Sequence, residues 1–76
     1  MKKAFDKDTL EALVSASALR ECRAVRVDGG WALQARLGAS WRPIRSLREA
    51  IRVWRSLTAL ERFCTTIGLR QLLVEL

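Results

Sequence analysis

Histidine is absent from the 76 residues, which excludes His-based catalytic triads, Cys–His dyads and any His-containing metal site. Only two cysteines occur, Cys22 and Cys64, and they form no CxxC pair. A zinc knuckle and a disulfide framework are therefore excluded, and two free buried thiols suit a reducing, cytoplasmic setting. Proline occurs once, tyrosine not at all, and the aromatics are three tryptophans and two phenylalanines. No apolar run approaches the length of a membrane span. Met1-Lys2-Lys3 has the charge that opens a signal peptide, but Asp6, Lys7 and Asp8 stand where its apolar stretch belongs. Paired acids, a glycine-rich phosphate loop and a nucleophile–base set are all missing. The expectation is a non-enzymatic protein with no cofactor, metal or small-molecule substrate.

Half of the chain is hydrophobic and 29% is charged, a globular composition that fits a single domain over residues 1–76. Lysine and arginine number 14 against 8 acidic residues, a net charge of +6. The ends contribute nothing to this excess, since residues 1–19 and 56–76 each sum to zero. Residues 20–55 hold nine arginines against Glu21, Asp28 and Glu49, so the entire surplus is central. A guanidinium binds phosphate or carboxylate through two parallel hydrogen bonds, where an ammonium acts as a point charge. A compact arginine surface is the footprint of a phosphate-backbone binder. The same residues would serve an acidic protein partner, or form a solvated face whose stems cover apolar surface.

The periodicity predicts an α+β fold: an antiparallel meander of about four strands, two helices packed on it, and a C-terminal strand. A first helix is read over 8–20. Asp8 and Glu11 form a capping box, with Asp6 as an alternative cap flanked by a Phe5–Leu10 staple. Strands follow at 23–27 and 31–37, joined by Asp28-Gly29-Gly30. A shorter strand is expected at 40–45, irregular or at an edge because Pro43 lacks a donor. Residues 46–56 are ambiguous. Leu47, Ala50, Ile51 and Trp54 have helical spacing, while Ile51–Trp54 alternates and favours a strand at about 50–55. A second helix is capped by Thr58 or Ser56 and ends at Gly68-Leu69. The apolar segment 70–76 reads as a strand that is either central in the sheet or buried against a second subunit.

The candidate nucleic-acid-binding residues are Arg36, Arg42, Arg45, Arg52 and Arg55, which could converge on one face of the meander, with Trp41 as a stacking ring. Binding through such groups is largely sequence-independent and weakens as salt rises. Trp31 shares its strand face with Leu33 and Leu37 and reads as core; Trp41 and Trp54 are open to either reading. Cys22 and Cys64 read as small core residues. The candidate partners are thus DNA or an acidic protein. Because a chain this short is marginal alone, the apolar segment Leu72–Leu76 also predicts a homodimer.

Several short stretches carry a family resemblance. They are Met1-Lys2-Lys3-Ala4-Phe5-Asp6 with Leu10, Arg23-Ala24-Val25 running into Gly29-Gly30-Trp31-Ala32-Leu33, Arg36-Leu37-Gly38, Ile51-Arg52-Val53-Trp54-Arg55-Ser56-Leu57, and Gly68-Leu69. On these the chain resembles the small plasmid partition-associated accessory proteins, the ParC-type family. The resemblance implies a role in maintenance or regulation of a mobile element in a bacterial cytoplasm. It supports a strand at 50–55 and brings no catalytic or ligand residues with it. Pro43 and the apolar Leu72–Leu76 depart from the family's pattern.

Overall fold

The computed structural model describes residues 4–76; Met1-Lys2-Lys3, which enter the resemblance, lie outside the described residues. The order of elements is α1 (Lys7–Ser15), β1 (Glu21–Val27), β2 (Gly30–Leu37), β3 (Ser40–Pro43), β4 (Val53–Trp54), α2 (Leu57–Thr66) and β5 (Leu73–Glu75). The class is α+β, with a mixed sheet of five strands.

Helix α1 is capped by Asp6, whose carboxylate accepts from the Thr9 amide at 2.7 Å. Phe5 and Leu10, both buried, close the staple across that cap. The helix stops well short of residue 20. Ser17 takes a left-handed φ of 55°, and the amides of Ser17 and Ala18 turn back to Val14 and Leu13. In α2 the cap is Ser56, accepting from the Ala59 amide at 3.1 Å, and Thr58 lies inside the helix. Gly68, at φ 87°, ends the helix as expected, with the Leu69 amide donating to the Cys64 carbonyl.

Strands β1, β2 and β3 form the antiparallel meander, with Arg26 opposite Trp31 and Arg36 opposite Trp41. Strand β4 returns to β2, where Trp54 and Val53 pair with Trp31 and Ala32. It therefore shares with β3 one side of β2 and does not extend the meander outward. The expected strand at 50–55 shrinks to two residues. Ser46 explains part of this: its hydroxyl accepts from the Arg48 and Glu49 amides and folds the segment into a turn. Leu47 and Ile51, two members of the helical spacing, stand in solvent.

Gly30 is required by this arrangement. Its φ is 151°, and a Cβ there would lie 2.0 Å from the Trp54 carbonyl oxygen. Pro43 sits at the sheet margin, where its missing donor costs nothing. Its carbonyl accepts from the Phe5 amide at 2.9 Å, and the Arg45 amide donates to the Phe5 carbonyl at 2.8 Å. Phe5 thus straps the β3 margin. At the other margin β5 pairs parallel to β1, with Val74 beside Ala24, so it is an edge strand and not a central one.

Both helices pack on one face. Leu10 of α1 and Leu60 and Cys64 of α2, with Ile67 beyond it, bury against Cys22, Ala24, Leu33 and Ala35, with Ile44 and Trp54 closing the ends. The opposite face of the sheet carries no helix among the described residues. Among the described residues, no helix is long and apolar enough to cross a membrane.

Candidate functional site: two arginine–aromatic stacks

Strand alternation decides where each arginine goes. Glu21, Arg23 and Val25 of β1 project to the helix-free face, and so do their partners Arg36, Gln34 and Ala32 of β2. Trp41 lies opposite Arg36 and joins them. The Arg23 guanidinium sits 4.0 Å from the centre of the Trp41 ring, and that of Arg36 lies 5.4 Å away. Both cations are also held by other groups. Arg23 donates to Gln34 at 2.7 Å and pairs with Glu75 at 3.1 Å, and Arg36 pairs with Glu21. This stack is stitched together by carboxylates.

A second stack forms at the hairpin end of the helix-bearing face. Arg26, Trp31 and Trp54 lie side by side across β1, β2 and β4. Arg26 stands 5.3 Å from the Trp31 ring, and Trp54 meets Phe63 with ring centres 5.0 Å apart. Arg52 caps both of these rings, at 4.6 Å from Trp54 and 4.9 Å from Phe63. Arg55 follows β4 with its backbone against Gly30, and its side chain is exposed. Among the described residues, no carboxylate lies within ion-pair distance of Arg26, Arg52 or Arg55.

The six residues singled out from the sequence are therefore divided among four places. Arg36 and Trp41 belong to the first stack, and Arg52 and Arg55 to the second. Arg42, one position after Trp41, points to the opposite side, where it lies 5.3 Å from the Phe5 ring with its buried Nε unpartnered. Arg45 pairs with Asp6 at 3.3 Å beside the α1 cap. It borders a cleft of about 710 Å³ that contains Asp6, Asp8 and Glu49 as well as Arg48 and Arg52.

Arg23, Arg26 and Trp31 were not among the residues singled out. Arg23 and Arg26 are an odd number of positions apart on one strand, so alternation sends them to opposite faces. That signal was present in the β1 pattern. Trp31 does pack against the core, as expected, but it is only partly buried and carries Arg26. Trp54 is buried and Trp41 is half-buried beneath its arginines.

Neither thiol is poised for chemistry. Burial pushes Cys22 up to about 11, with the neighbouring Cys64 adding to the shift; burial and then Glu61 do the same for Cys64. A protonated, buried thiol is a poor nucleophile and a poor metal ligand. No group of three or more metal-ligating side chains occurs among the described residues.

Compared with known proteins, the chain matches no family model, no curated protein and no solved structure.

Proposed function

We propose that this chain is a small, non-enzymatic nucleic-acid-binding protein whose phosphate contacts come from Arg26, Arg52 and Arg55. One observation carries the reading: two of these guanidinium groups rest on aromatic rings, and among the described residues none of the three forms an ion pair with a carboxylate. A ring supports the flat of a guanidinium and leaves its N–H edge free for a phosphate oxygen. A carboxylate occupies that edge, so Arg23, Arg36 and Arg45 would have to give up a partner before binding. Contacts of this type position a backbone and read no base, and the binding is largely sequence-independent. A place beside a plasmid partition system, as the family resemblance implies, would suit such an accessory protein; it rests on that resemblance alone.

Fluorescence anisotropy with duplex and single-stranded DNA at 50 mM salt tests the proposal. The combined variant Arg26→Gln, Arg52→Gln, Arg55→Gln should lose about 10- to 100-fold in affinity and flatten the salt slope by about 2 to 3. Arg23→Gln with Arg36→Gln should change affinity by less than about threefold, because those groups are already engaged. Absence of binding by the unaltered protein would end the proposal.

A second reading belongs to the helix-free face, where Val25, Val53 and Leu73 flank the Arg23–Trp41–Arg36 stack and neither helix covers them. An apolar strip edged by paired charges suits a protein surface better than a phosphate chain. Nuclease-resistant association that Trp41→Ala abolishes, with DNA binding untouched, would favour it.

A further inference from the structure

The two margins of the sheet are finished differently. Phe5 straps the β3 margin, whereas β5 ends the sheet with Leu73 49%, Val74 42% and Leu76 96% exposed. A row of apolar side chains on a strand with one unpaired edge is a template for another strand. We propose that β5 pairs antiparallel with β5 of a second copy about a twofold axis at Leu73, joining two sheets into one.

Several features select a second copy. A twofold axis normal to the sheet keeps like faces together, so residues of equal parity oppose one another. Leu73 then meets Leu73 of the partner subunit, Leu72 meets Val74 of the partner subunit, and Gln71 meets Glu75 of the partner subunit. Apolar thus faces apolar, an amide faces a carboxylate, and no like charges are opposed. Charge favours the same margin. Residues 56–76 sum to zero while 20–55 carry the whole surplus, so two copies meet here with least repulsion.

The register also explains a cleft of about 730 Å³ beside this margin, which Val14, Ile67, Leu69, Arg70 and Leu72 help to line. Val74 shares the helix-bearing face with Ala24, and alternation puts Leu72 and Leu76 on that side too. Pairing about Leu73 carries Leu76 of the partner subunit next to Arg70, at the mouth of the cleft. Leu76, almost fully exposed in one copy, thereby gains cover from the other. This inference is independent of nucleic-acid binding.

Sedimentation velocity from 5 to 500 µM, at 150 mM salt and without DNA, tests it. The protein should pass from monomer toward dimer across that range. Leu73→Arg sets two guanidinium groups against each other at the axis and should weaken dimerisation by at least about tenfold. Because Leu73 is half exposed, circular dichroism should show that variant folded. Leu73→Cys provides a gain of signal: paired Cα atoms about 4.5 to 5.5 Å apart suit a disulfide, so a mild oxidant should cross-link the dimer. Val74→Cys, off the axis, should cross-link far less. A monomer throughout the range, a dimer indifferent to Leu73→Arg, or equal cross-linking at both positions would overturn the proposal. So would a monomer that accepts only a strand from a different protein.

Discussion

The two arginine stacks are built from the same residue types, yet they present opposite surfaces. Around Trp41, Arg23 and Arg36 are tied to Glu75 and Glu21, and the local charge nearly cancels. Around Trp31 and Trp54, Arg26 and Arg52 rest on rings and, among the described residues, form no ion pair. A net charge of +6 says how much positive charge the chain carries, and strand register says how much of it is free. Solvent-exposed ion pairs contribute little to stability, about 0 to 1 kcal/mol each. The carboxylates of the first stack therefore matter more for what they withhold from a ligand than for the strength of the fold.

The largest expected effect comes from breaking one stack through its backbone. Gly30→Ala drives a Cβ into the Trp54 carbonyl, and should cost on the order of 3 kcal/mol or more in urea unfolding. Gly38→Ala, in the turn before Trp41, has open space around the new methyl group. It carries only the penalty of a left-handed residue, about 1 to 2 kcal/mol, and should leave the second stack intact. Asp6→Ala removes both the α1 cap and the partner of Arg45. A loss of about 1 kcal/mol is expected, most of it from the cap.

Alkaline pH should separate fold from binding surface. Cys22 and Cys64 keep their protons in the folded state up to about 11, while the unfolded chain releases them near 9.0. The folded state binds more protons between those values, so stability falls as pH rises from about 9 to 11. Thermal midpoints should decline over that window, and Cys64→Ala should flatten the decline. With no histidine present, DNA affinity should be flat from about pH 6 to 8. Glu21→Gln with Glu75→Gln frees Arg36 and Arg23 and should tighten DNA binding by about two- to fivefold at 50 mM salt. No change would mean that the carboxylates are not what sets the two stacks apart.

Much of the fold was legible in the residues. Trp31, Leu33 and Ala35 alternate against the core as a half-buried strand must, and Gly68-Leu69 closes α2 through its left-handed turn. Asp6 was visible as a cap, but choosing it over Asp8 depended on Phe5 and Leu10 meeting in space. What was not legible followed from long-range register. Trp41 and Arg42 are neighbours in sequence and point to opposite faces, so counting arginines along residues 36–55 could not show that they part company. The segment 46–56 satisfied helical and strand patterns at once. Its outcome was settled by Ser46 and by where β2 still had room for β4. The edge position of β5 stayed open because the apolar residues of 70–76 read equally as a central strand and as one buried against a second subunit.

The Phe5 strap limits how far copies of this chain could associate side by side. Once two molecules join along their last strands, each outer border of the enlarged sheet is formed by β3 and β4, and Phe5 covers the Pro43–Arg45 end of it. The strap shortens the stretch of border on which a further strand could add, and so works against growth into a ribbon or a fibril.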